Sequence, residues 1–367
     1  MNDERRTTRA FTLVELTVAV AMLGLVLFFA SVIFSVSING HRLAGANAEI
    51  MQKLRAVTSQ LSADFSGLQS DAPLLIWFQQ DQNDPNERFD QIVFFADGDF
   101  QSTQVYDGTP KVPSDTGEPV IGNLARVYYG QAQSLDPRDN RMGDPCDLLP
   151  QDRLLARRQH ILTADTDLDE WPNPDDVAGT FDANDGVRYH NERYEHDSVS
   201  LAVWETVDRI AYNPDLGMGG IIDVCFNLRP WIDMKDANTF HKLMCEGVGS
   251  FSIQWAYWDD IDKEFRWFPS DDPNGDGSDS DSHLDLMGSV ADPNFGVYFN
   301  IPDEPPVPDY SSFRWYAVKD GTVEYKSGEY FPADFFPKAF KFTFTLYDSR
   351  GIIPDGRRFT HIVYLED

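Results

Sequence analysis

The chain has 367 residues, enough for one large domain or two small ones, and carries 60 Asp and Glu against 30 Lys and Arg, a formal net charge of -30. A body of that charge is repelled by nucleic acid and by anionic lipid, which argues against a nucleic-acid partner and favours divalent cations and basic protein surfaces. With 42% hydrophobic residues, 26 Phe and 8 Trp, the chain is too apolar for a disordered acidic tail and is expected to fold.

Residues 1–10 form a basic leader in which Arg5, Arg6 and Arg9 outweigh Asp3 and Glu4. Leu16 to Ile38 then runs for 23 residues without a charge. As a helix this run reaches ~34 Å, long enough to cross a bilayer core. Basic residues before it and an acidic body after it predict a single-pass chain with its N-terminus cytoplasmic and its body outside. One acid, Glu15, sits just inside the membrane end of this helix, where a carboxylate without a partner costs on the order of a few kcal/mol. Phe11 and Glu15 are four residues apart and share one helix face. A free amine at Phe11 would therefore face Glu15, and between packed helices Glu15 of one chain can meet the Phe11 amine of another.

The run Phe11-Thr12-Leu13-Val14-Glu15-Leu16 followed by an apolar helix resembles the class III leader of type IV pilins and pseudopilins. The resemblance implies cleavage between Ala10 and Phe11 by a prepilin peptidase, N-methylation of Phe11, and an assembly role for Glu15 as the fifth mature residue. Ala10 stands where that family usually has Gly. An ordinary signal anchor is the plainer alternative. A secretory signal peptide fits less well, because the apolar run exceeds the core of such peptides and starts directly after the leader.

No proline occurs from Phe11 to Ala72. After the 11–38 transmembrane helix, Ile50, Leu54, Val57, Leu61, Phe65 and Leu68 recur at steps of three or four residues, predicting an amphipathic helix over 39–70 that continues the first to about Leu68. Asn39-Gly40 and Gly45 are its weakest points. Short strands are expected at Gln91 to Phe95, Leu124 to Tyr129, His160 to Thr163 and Val199 to Trp204. The clearest alternations are Phe251, Ile253, Trp255 and Tyr257, then Phe340, Phe342, Phe344 and Leu346. A return strand, Phe359 to Leu365, follows a turn-rich link containing Ser349-Arg350-Gly351 and Pro354-Asp355-Gly356. The fold class is thus α+β: a long N-terminal helix packed on an antiparallel sheet within a body at 71–367. Acidic segments rich in Pro, Gly, Asn and Asp, at about 136–197 and 269–309, read as long loop insertions.

Three cysteines, Cys146, Cys225 and Cys245, lie on the oxidising side and allow three pairings, of which Cys225 with Cys245 is closest in sequence. Asp272-Pro273-Asn274-Gly275-Asp276-Gly277 matches the first half of a calcium loop. Asp272, Asn274, Asp276, the Ser278 carbonyl and Asp281 form a candidate Ca2+ shell, although His283 stands where an EF-hand has its bidentate Glu. The alternative is a solvated acidic loop. His190, Glu192, Glu195 and His196 lack a dense ligand spacing and read as scattered loop residues. Trp255, Trp258, Trp267 and Trp315 read as core or interface anchors. No nucleophile elbow, phosphate-binding loop or dinucleotide fingerprint occurs, so nothing argues for an enzyme.

Val127-Tyr128-Tyr129, Leu154-Leu155-Ala156-Arg157, Phe251 to Tyr257, Trp267 and Phe335-Phe336-Pro337-Lys338-Ala339-Phe340 look like the J-class minor pseudopilins of type II secretion. Length favours the K class, but that class typically lacks the acid present here as Glu15. The resemblance implies a bacterial inner-membrane protein with a periplasmic body. Its partners would be other minor and major pseudopilins, the prepilin peptidase and the inner-membrane secretion platform. A minor type IV pilin with a surface role and a signal-anchored extracytoplasmic binding domain are the alternatives.

Overall fold

The computed structural model describes residues 12–72, 74–79, 87–106, 118–135, 142–143, 148–162, 196–197, 212–213, 218–219, 230–232, 235, 237–259, 263–268, 294–299, 314–319, 322–325 and 336–365. Helix α1 spans Leu13–Ser66 without a break, so Gly40 and Gly45 do not interrupt it. Each costs about 1 kcal/mol relative to Ala, which a proline-free run of good helix formers outweighs. Its upper third buries the expected stripe: Ile50, Val57, Leu61 and Phe65 are at most 2% exposed, and Leu54 packs on the same core. The helix stops at Gly67, where a Cβ would collide with the Asp97 carbonyl. Leu68, expected to close the helix, instead forms a bridge to Ala96.

Twelve strands carry the argument: β1 Leu74–Gln79, β2 Gln91–Tyr106, β3 Glu118–Gln131, β4 Leu154–Leu162, β5 Leu243–Glu246, β6 Val248–Asp259, β7 Glu264–Phe268, β8 Asn294–Phe299, β9 Arg314–Lys319, β10 Thr322–Tyr325, β11 Ala339–Leu346 and β12 Arg357–Tyr364. A nine-stranded sheet has the order β5-β4-β3-β2-β1-β8-β9-β10, with His196–Asp197 pairing on β4. Its pairs are antiparallel except β8 with β9 and β4 with His196–Asp197. A second sheet, β7-β6-β11-β12, is antiparallel throughout. One long apolar N-terminal helix with mainly antiparallel sheets is an α+β layout.

The two clearest alternations in the sequence form the inner face of the second sheet. Phe251, Ile253 and Trp255 on β6 and Phe340, Phe342, Phe344 and Leu346 on β11 are all 0% exposed. Phe342 pairs with Ile253 on one side and with His361 on the other, so the register sets this whole face toward α1 and the first sheet. Phe65 of α1 joins this face, with its ring 5.1 Å from both Phe340 and Phe342 and 4.4 Å from Phe94.

The two expected insertions are not loops throughout. Residues 154–162 form β4, inside the sheet between β3 and β5, and residues 294–299 form β8, between β1 and β9. In β4, Arg157, Arg158 and Gln159 interrupt the apolar alternation and hide the strand, yet eight residue pairs align it with β3. In β8, Val297 and Phe299 are fully buried although the surrounding sequence is rich in turn formers. The strand expected at Val199 to Trp204 lies outside the described residues.

The β11–β12 turn is organised by Asp348, which is 1% exposed and accepts from the backbone N–H groups of Arg350, Ile352 and Ile353 at 3.2, 2.9 and 2.8 Å. Burial opposes its ionisation, but these bonds prevail and hold its carboxyl below the ordinary value. Gly351 and Gly356, at φ 62° and 61°, supply the left-handed residues the turn needs.

Across the helix, Ser62 Oγ meets His361 Nε2 at 3.0 Å, and burial lowers the His361 pKa below its ordinary 6.5. The folded state then binds fewer protons than the unfolded chain. His361 therefore costs stability as pH falls through 6.5 toward its lower folded value. Urea unfolding at about pH 7.5 and about pH 5.5 should show a loss of midpoint on acidification that is smaller in His361→Gln. An identical loss in the variant would rule out this residue as a source.

Candidate functional site

The first turn of α1 is built around Glu15. Thr12 is the N-cap, and its Oγ1 accepts from Glu15 N at 3.2 Å. Glu15 Oε2 accepts in return from Thr12 N at 2.9 Å and from Thr12 Oγ1 at 3.0 Å, completing a capping box. The carboxylate thus satisfies an orphan donor and opposes the positive end of the helix dipole. Both bonds fall on Oε2, and Oε1 has no hydrogen bond among the described residues. One oxygen of this exposed acid at the head of the apolar helix is therefore available to a donor from elsewhere. Ala10 and Phe11, the expected cleavage and methylation residues, lie outside the described residues.

From Leu13 to Leu43 the apolar side chains of α1 are bare. Leu13 is 79% exposed, Phe34 71% and Val32 45%, and the most apolar window has a mean hydropathy of 2.6 and no buried residue. A core helix would be covered by its own body, and this one is not. Among the described residues, α1 is thus the one helix long and apolar enough to span a membrane.

The body grips the upper helix through polar groups that sequence reasoning missed. Asp64 receives Arg157 in bidentate fashion, Nε to Oδ2 at 2.6 Å and a terminal nitrogen to Oδ1 at 2.9 Å. Tyr129 donates its hydroxyl to the same carboxylate, and Gln60 adds a bond at 3.0 Å. Burial and the Asp64 charge push the Tyr129 hydroxyl well above its ordinary pKa, so it remains a donor. The available signal was Asp64 itself, an acid lying between Leu61 and Phe65 on the apolar helical face.

A second buried acid, Asp90, is 0% exposed and joins the two sheets. Its Oδ1 accepts from Gln79 N at 3.0 Å and Arg88 Nε at 3.2 Å, and its Oδ2 from Ile253 N at 2.9 Å. Burial raises its pKa in spite of Arg88 and these bonds. Nearby, Arg153 pairs with Glu87 and donates to the Gly249 carbonyl at 2.6 Å. Such ties fix the sheets on each other and carry no reacting geometry.

On the outer face of the second sheet, Trp258 is 43% and Tyr364 60% exposed. Phe265 lies between them, with ring centroids at 5.2 and 5.7 Å, and Lys341 sits 4.9 Å above the Trp267 ring. Trp255 is a core residue, as expected, whereas Trp258 faces solvent. Adjacent rings are inclined by 41° to 76°, so they do not offer the flat platform on which a sugar chain stacks.

Cys245 is a buried free thiol, and Cys225, its expected partner, lies outside the described residues. Its place on β5, with Sγ 3.5 Å from the Glu246 carbonyl, gives it a packing role, and burial pushes its pKa up to about 11. That value makes it a poor nucleophile at neutral pH. The candidate calcium ligands Asp272, Asn274, Asp276, Ser278 and Asp281 all lie outside the described residues. Among the described residues no group of His, Cys, Asp and Glu is arranged to hold a metal.

Helix and body together define an α+β protein with an N-terminal segment suited to membrane anchoring. Comparison with protein-family models, with curated proteins and with solved structures finds no match.

Proposed function

We propose that the chain is a J-like minor pseudopilin of a type II secretion apparatus, held in the bacterial inner membrane by α1 with its body in the periplasm. The observation that carries this reading is the motif Phe11-Thr12-Leu13-Val14-Glu15 at the head of a continuous apolar helix, with Glu15 presenting an unbonded oxygen. Removal of residues 1–10 would free the Phe11 amine, and Glu15 of a neighbouring subunit is its natural counter-charge in lipid. The helix would then enter a filament with other major and minor pseudopilins, and the body would sit at or near its tip. A minor type IV pilin is the second reading, because the same motif serves both.

Mass spectrometry of the mature N-terminus tests the class. N-methylated Phe11 is expected, while an intact Met1 or a cut beyond Ile38 would sink it. Glu15→Leu should still insert in the membrane but fall out of the assembly. An unpaired charge in lipid is worth a few kcal/mol, so cross-linking to the other pseudopilins should drop by about tenfold or more. Wild-type incorporation of the variant would remove Glu15 from the assembly contact.

A further inference from the structure

Among the described residues, the edge of the body nearest the apolar helix carries more basic than acidic side chains, against the sign of the chain as a whole. There the β11–β12 turn is tied to α1: Ser349 donates from N and Oγ to the Glu49 carboxylate at 2.8 and 3.1 Å, and Lys53 Nζ donates to the Tyr347 carbonyl at 2.9 Å. Burial of α1 by the body begins at Ala46, 4% exposed and one turn above the exposed Arg42. By helix rise, Ala46 stands ~12 Å beyond Ile38 and Glu49 ~16 Å, of which a headgroup layer takes up about 5–7 Å. The turn therefore lies within about one Debye length of any bilayer surface that α1 crosses.

Arg350 on this turn and Arg357 and Arg358 at the start of β12 are exposed, and among the described residues none forms an ion pair. The acids around them are largely spent. Asp348 is buried and bonded to three backbone N–H groups, and Glu49 is paired with Lys53 at 3.0 Å. Among the described residues, Asp355 and Glu246 remain as exposed acids. With Arg42, four exposed guanidinium groups thus lie at the end of the body next to the apolar helix, in a chain whose net charge is -30. Ile353 is half-buried and packs on the core below the turn.

We infer that this rim is a contact for anionic phospholipid headgroups, with Arg350, Arg357 and Arg358 binding phosphate oxygens on the body's side of the bilayer and Arg42 completing the set from the helix. Guanidinium forks suit phosphate oxygens, and a turn fixed at two points on α1 presents them on backbone that is already ordered. The contact selects one orientation of the body, turning its acidic remainder away from the same surface. It rests on the reading of α1 as a membrane-spanning helix.

The test is hydrogen–deuterium exchange of the peptide covering 347–358, with the full chain in lipid nanodiscs. Nanodiscs with about one third phosphatidylglycerol should slow exchange about tenfold relative to pure phosphatidylcholine. The protection should relax at about 0.5 M salt. It should also disappear in an Arg350→Gln, Arg357→Gln, Arg358→Gln variant whose core strands β6 and β11 stay protected. Equal exchange in the two lipids overturns the inference. So does protection that survives both salt and the triple variant, which would mean an apolar seat. Equal protection by inorganic phosphate in neutral nanodiscs would assign the rim to a free anion and overturn the lipid contact. A chain that fails to insert even in neutral vesicles overturns the membrane-spanning reading itself, a result distinct from the others.

Discussion

Asp64→Ala lowers the melting temperature of the full chain in detergent micelles by roughly 4–6 °C, corresponding to about 3 kcal/mol. The carboxylate is 6% exposed and is shared by Arg157, Tyr129 and Gln60. Removing it strands a guanidinium and a phenol that are both held in place by β3 and β4. Arg157 keeps 18% of its side-chain surface in water, which holds the cost to the lower end of the range for a broken buried pair. The double replacement Asp64→Leu, Arg157→Met should recover most of the loss, because two apolar groups leave no orphan charge. A melting temperature unchanged in the single variant would show that the network adds nothing to the hold on the helix.

Phe65→Ala should cost about 3–5 kcal/mol, the usual toll of emptying a fully packed aromatic site. The ring touches Phe94 of the first sheet and Phe340 and Phe342 of the second, so its removal opens a cavity where helix and both sheets meet. Beyond a lower melting temperature, amide exchange along 46–66 should quicken more than exchange in β2 or β3, because the last turns of α1 lose their deepest contact. Uniform quickening would instead mean that the body unfolds as one unit with the helix. Glu15→Leu, by contrast, should leave body melting untouched, since Glu15 bonds only within its own first turn among the described residues. The two variants separate folding of the body from assembly of the chain.

What was legible in the sequence follows from periodicity. The stripe Ile50 to Phe65 and the alternations on β6, β11 and β12 announce themselves, because each buries one face only and repeats at 3.6 or 2 residues. Strand β1 escaped notice: Leu74 to Phe78 is buried on both faces, so it shows a short apolar run with no alternation. Strand β4 was only glimpsed at His160, because its arginines serve partners distant in sequence, Asp64 above all. No local pattern can report a bond that spans 93 positions. The site divides in the same way. Phe11 and Glu15 stand out as a contiguous motif, and Thr12, which caps the helix, lies inside that motif with its role visible only in the folded turn.

In mechanical terms α1 is a beam gripped at two places, by the body from Ala46 upward and by whatever surrounds its apolar shell below Ile38. The ungripped section between them contains Gly40 and Gly45, where a side chain would find nothing within 4 Å. Glycine is the residue whose backbone resists bending least, so sideways load concentrates in this section. An axial pull passes along the hydrogen-bonded backbone to Phe65 and Asp64, whereas a lateral push is taken up below the first core contact. Where no contact with the rim holds it, the body can thus tilt on its stalk without loosening the interface that joins it to the helix.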